Sequence, residues 1–122
     1  MTWKHGWVAL ALFAATTGSA AARTPYPPML NGQKLLDYCN AREQHRRFSC
    51  GYYVMGVIDL LFNPEPPAGA ADATPAVCPP PGKTPEELVT LVKHYIEGRP
   101  AERDKPGYAL VVAAMREAFP CK

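Results

Sequence analysis

The sequence predicts a small all-α domain, stapled by disulfides, with about four helices and a long Pro/Ala-rich loop between the second and third. Three observations carry this. Apolar residues recur at helical spacing in several segments, and no segment shows a defensible period of two. Residues that start and stop helices bracket those segments. Four cysteines, Cys39, Cys50, Cys78 and Cys121, fall at or beside the expected helix ends. With 122 residues there is room for one domain.

The first helix is expected in "NGQKLLDYC", where Asn31 is the N-cap and Leu35, Leu36 and Cys39 share one face, ending near Cys39 or Ala41. The polar stretch "NAREQHRRFS" reads as a surface connector. A longer helix follows in "FSCGYYVMGVIDLLF", capped by Ser49 or a neighbour, with Val54, Met55, Ile58, Leu61 and Phe62 as its apolar stripe. Gly56 in it is expected to permit a close helix approach. Residues 63–83 are rich in Pro, Ala and Gly without helical or strand period, and form the long loop.

The third helix is the best signalled. In "TPEELVTLVKHYIEGRP", Thr84 caps, Pro85 fits the first helical position, and Glu87 completes a capping box. Leu88, Leu91, Val92, Tyr95 and Ile96 form its expected core face, Gly98 ends it and Pro100 forbids its continuation. The last helix lies in "AERDKPGYALVVAAMREAFP", with Asp104 as cap, Pro106 in the first turn, and Tyr108, Val111, Val112, Met115 and Phe119 facing inward. Pro120 helps to end it by disfavouring a helical Phe119.

Residues 1–22 read as a secretory signal peptide: Lys4, an apolar run from Val8 to Ala15, then small residues, with cleavage expected after Ala20, Ala21 or Ala22. The mature domain would then be 23–122. The apolar run is shorter than the ~20 residues an anchor needs, so no stable membrane anchor is expected. The expected location is the periplasm. An exported chain with an even cysteine count points to disulfides. The first two helices, joined by a short connector, should run antiparallel and bring Cys39 to Cys50. The last two should bring Cys78, just before one, to Cys121, just after the other. That pairing asks for the least distortion. Chain entropy gives it about 3 and about 4 kcal/mol for the two loops.

Charge is nearly balanced, 13 Lys+Arg against 11 Asp+Glu, which argues against nucleic acid as a partner. Catalytic chemistry is poorly signalled. Once His5 leaves with the leader, His45 and His94 remain, and neither has a nearby nucleophile or paired carboxylate. No cysteine pair has zinc-ligand or redox-motif spacing, so no metal and no cofactor is expected. The candidate partner-binding residues are Arg42, Arg46 and Arg47 of the basic "REQHRR", Tyr53 of the Tyr52–Tyr53 pair, Asp59 inside the apolar helix, and Glu65 and Asp72 of the loop. The basic run reads either as a contact for an acidic partner or as a solvated connector. Asp59 reads either as a partner contact or as a carboxylate on the solvent edge of the stripe.

Taken together, "CGYYVMGVIDLL" and "VCPPPGKTPEELVTLVKHYIEGRPAERDKPGYALVVAAMREAFPC" resemble the Tai/Rap immunity proteins of bacterial type VI secretion systems. The resemblance rests on Cys50, Gly51, Tyr52, Gly56 and Asp59, then Cys78 and Pro80, then Pro100 and Pro106, then Ala118 to Cys121, and covers roughly residues 30–121. Residues 64–75 depart from it, being longer and richer in Ala and Pro. The resemblance implies a helical periplasmic protein, often a homodimer, that binds a peptidoglycan-hydrolysing, amidase-type effector and blocks its active site. Such an inhibitor needs no catalytic residues. The rival expectation is a small helical periplasmic chaperone or stress protein, for which the balanced charge offers little support.

Overall fold

The computed structural model describes residues 27–64 and 77–122. The leader at 1–22 and the loop positions Glu65 and Asp72 lie outside the described residues. Among those described, the order is α1 (Gly32–Cys39), α2 (Gln44–Phe62), α3 (Pro85–Glu97), a 3₁₀ turn (Pro100–Glu102) and α4 (Gly107–Ala118), with no strand. Each helix packs against the other three. The molecule is all-α, as its periodicities predict.

Asn31 caps α1 by accepting from the Lys34 N–H at 2.9 Å. The other exposed donors of this helix start are not left to water. The Gly32 N–H donates to the Lys105 carbonyl and the Gln33 N–H to the Arg103 carbonyl, each at 2.9 Å. In return the Gly107 N–H donates to the Leu30 carbonyl at 2.8 Å. The start of the first helix is thus tied to the entry of the last. The approach is closest at Gly32 and tight at Gly107. A Cβ on Gly32 would overlap Leu110 and lie 3.1 Å from the Arg103 carbonyl oxygen; one on Gly107 would lie 3.3 Å from the Leu30 carbonyl oxygen.

α2 begins at Gln44, so it takes in half of the expected connector. Ser49 is not its cap: the Ser49 hydroxyl donates to the His45 carbonyl at 3.0 Å, within the helix. Nothing in residues 44–48 breaks a helix, and arginine is a good helix former. The Arg47 guanidinium secures the early start by donating to the carbonyls of Ala41 and Arg42 in the preceding turn. Cys50, Val54 and Ile58 are buried, with Met55, Leu61 and Phe62 packed at their edge.

α3 carries the predicted capping box. The Thr84 hydroxyl accepts from the Glu87 N–H, and the Glu87 carboxylate accepts from the Thr84 N–H at 2.8 Å. That N–H, helped by Lys83, holds the Glu87 carboxyl below its ordinary range. Leu88, Val92 and Ile96 are buried, while Leu91 and Tyr95 are half-buried at the margin. Gly98 ends the helix in a right-handed conformation, φ −73°, so its conformational freedom is not what stops the chain. Arg99, held non-helical ahead of Pro100, does that. Arg103 then reaches back and donates to the carbonyls of Ile96 and Glu97 at 3.2 and 2.8 Å, satisfying the helix end. Arg99 stacks over the Tyr95 ring, 3.7 Å from its centroid, and donates to the Glu117 carboxylate at 2.8 Å, linking α3 to α4.

The last helix starts later than expected, with Pro106 rather than Asp104 at its cap position. Its buried face is Gly107, Leu110, Val111, Ala114 and Met115; Val112 and Phe119 are half-buried and Tyr108 is exposed. The run "ALVVAAM" is apolar around the whole helix, so its own pattern does not set which side faces inward. The backbone dock at Gly107 sets it.

The disulfides join Cys39 to Cys50 and Cys78 to Cys121, with Cα atoms 5.0 and 4.9 Å apart. These are the pairs expected from antiparallel helix ends. Beside the second bridge, the Val77 side chain is buried in the core and the Cys78 N–H donates to the Phe119 carbonyl at 2.9 Å.

Three outcomes follow from this packing. Ile58→Ala should cost about 2–5 kcal/mol in urea denaturation, and Leu91→Ala clearly less, because Leu91 stands at the margin. Gly32→Ala should cost about 1–3 kcal/mol by overpacking against the buried Leu110 side chain and the Arg103 backbone; a melting curve equal to the parent's would show that the dock relaxes freely. Graded reduction followed by alkylation and mass spectrometry should open Cys78–Cys121 first, since both its cysteines are exposed whereas Cys50 is buried.

Candidate partner interface

α2 is apolar on two opposite sides. Cys50, Val54 and Ile58 face the core, and on the far side His45, Phe48, Tyr52, Gly56 and Asp59 follow one another at intervals of three or four residues, all exposed. Phe48 is 54% exposed and Tyr52 77%, with their ring centroids 6.5 Å apart. Leu60, 69% exposed, flanks this ridge toward the helix end. Large side chains so uncovered are uncommon on a helix whose other face is core.

The glycines of α2 add to the relief. An added Cβ on Gly51 or Gly56 would meet nothing within 4 Å. Among the described residues Gly56 therefore permits no close helix approach, contrary to the sequence expectation; it leaves a gap in the exposed ridge. Beside the ridge runs a groove of about 440 Å³. Phe48, Gly51, Tyr52 and Met55 line it from α2, Pro85 and Val89 from α3, with Arg47, Glu86 and Thr90 also in its walls. The arrangement offers aromatic and aliphatic contact together with charges of both signs.

The residues singled out from the sequence are distributed unevenly over the fold. Asp59 stands on the ridge, exposed, while its backbone carbonyl accepts from the Asn63 N–H and side chain. Arg42 is exposed near the start of α2. Arg46 lies over the Tyr38 ring, 5.1 Å from its centroid, and 3.9 Å from the Glu43 carboxylate. Arg47 is occupied with the two carbonyls of the α1–α2 turn. Two of the three arginines thus build the turn. Tyr53 is half-buried against the start of α4, where burial pushes its hydroxyl pKa up and a hydrogen bond from the Tyr108 backbone opposes that shift. Phe48 and Leu60 were not among the sequence candidates, although a second apolar series four residues apart, opposite the core stripe, was their available signal. His45 and His94 are both exposed. Among the described residues, no group of three or more His, Cys, Asp or Glu could hold a metal ion.

A family model of Rap1a immunity proteins matches residues 31–121. The chain belongs to this family. The match begins at the Asn31 cap of α1 and ends at Cys121, so it takes in all four helices and both disulfides. No curated protein matches the chain. As a Rap1a immunity protein it acts against an effector, by binding its cognate toxin. An exposed aromatic ridge beside an apolar groove is a surface suited to binding a protein, because buried aromatic anchors dominate the energetics of protein interfaces.

Proposed function

We propose that this Rap1a immunity protein is exported to the periplasm, forms a homodimer there, and binds and inhibits a peptidoglycan-hydrolysing, amidase-type effector of a type VI secretion system. The observation that carries the reading is the family match over the whole stapled body. The periplasmic location is supported by the leader-like residues 1–22 and by two disulfides, which persist in an oxidising compartment. The amidase target and the secretion system rest on the resemblance of the Cys50–Asp59 and Cys78–Cys121 segments to the Tai/Rap pattern. Arg42 and the flanks of the long loop are proposed to make effector contacts. Val77 and the Cys78–Cys121 bridge fix one of those flanks against α4.

Directing the candidate amidase to the periplasm should lyse cells, and co-expression of this chain with its leader should prevent lysis, with the two proteins recovered together in a pull-down. The same chain without residues 1–22 should give no protection. Lysis that persists with the exported chain, for every wall hydrolase encoded nearby, would overturn the proposal.

A further inference from the structure

We infer that the outer ridge of α2 is a self-complementary interface, on which α2 of a second copy packs antiparallel across a two-fold axis at Tyr52. The inference rests on the homodimer reading above and names the face and register of that dimer. It comes from the spacing of the ridge. In an isologous interface every residue meets the one equally far from the axis on the other side. Gly56 lies four residues after Tyr52, as far as Phe48 lies before it; Asp59 lies seven after, as far as His45 lies before. Across an axis at Tyr52, each Phe48 ring therefore comes over the Met55–Gly56 step of the other copy. An added Cβ on Gly56 would meet nothing within 4 Å there, so the ring has room. Each His45 imidazole faces an Asp59 carboxylate, twice per dimer, and the two Tyr52 side chains meet at the centre.

Moving the axis by one turn either way satisfies less of the ridge. Moving the axis one turn onward, to Gly56, brings Tyr52 to Leu60 but carries Phe48 past the end of α2 at Phe62. Moving it one turn back, to Phe48, leaves Tyr52 facing Gln44 and Asp59 facing nothing on α2, which begins at Gln44. Only the Tyr52 axis matches large with small and imidazole with carboxylate together. The complement to the ridge is thus present in the chain itself, and that commits the occupant to a second copy.

The test is the solution mass of the exported, disulfide-intact chain, by sedimentation equilibrium across a concentration series. The parent should be a dimer. Gly56→Trp should fill the space Phe48 needs and weaken dimerisation at least about tenfold. Its helical circular dichroism and melting of the monomer should be retained, because position 56 meets nothing within 4 Å among the described residues. His45→Asp and Asp59→Arg should each weaken the dimer, and the two together should restore it, which a merely structural role would not produce. A parent that stays monomeric overturns the inference, and so does a Gly56→Trp variant that dimerises like the parent, because the dimer would then use another face. If Gly56→Trp stays dimeric but loses the hydrolase in the pull-down, the ridge belongs to the effector and the inference again falls. The lysis assay reads the immunity function independently of each result.

Discussion

The packing of this protein depends on the backbone exchange between the start of its first helix and the entry to its last. Three N–H···O bonds pass between residues 30–33 and 103–107, where a Cβ on Gly32 would overlap Leu110 and one on Gly107 would fit only tightly. The dock fixes the rotation of α4, whose apolar run could turn several faces inward. It also holds α1 where Cys39 can meet Cys50. With these two segments joined, α2 and α3 pack against both α1 and α4. The core they close is apolar throughout: among the described residues no polar or charged side chain is buried. Nothing inside therefore needs a hydrogen-bond partner, and the polar chemistry is confined to helix ends and surfaces.

Most of this was legible where local chemistry and tertiary structure agree. Thr84, Pro85 and Glu87 define the start of α3 through bonds made within four residues, so the structure could only repeat them. The cysteine pairs were legible because helix ends are the one long-range feature that short connectors fix. The misplaced elements share another cause. The early start of α2 is held by Arg47 reaching back to two carbonyls, a contact no periodicity reports. The face of α4 is set by a partner seventy and more residues earlier in the chain. Leu91, expected in the core, lies at its margin because Leu88, Val92 and Ile96 already fill the line of contact.

The candidate site shows the same division. Basic residues on a connector look available for a partner, but Arg46 and Arg47 are engaged with Tyr38, Glu43 and the turn carbonyls. Charge in a sequence does not say whether the charge is already used. Asp59 was legible because a carboxylate amid apolar residues must face solvent or a partner, and it stands on the ridge. Phe48 and Leu60 were hidden by the strength of the core stripe: when a helix is apolar on two sides, the second side reads as noise around the first. Gly56 could be read as a closely packed glycine or as a gap, and only the space around it distinguishes the two.

The separation of these two sides of α2 has a consequence for an immunity protein. Core residues and ridge residues alternate along one helix, yet no ridge side chain is needed to fill the interior. Substitutions on the exposed side of α2 can then change what that face binds while the dock, the core and both disulfides stay as they are. Surface changes away from packed or bonded features usually alter stability by no more than about 0.5 kcal/mol. A domain of this size has little stability in reserve. Keeping the exposed side of α2 off the core therefore leaves it open to substitution without unfolding so small a protein, and the two bridges at the helix ends hold the frame.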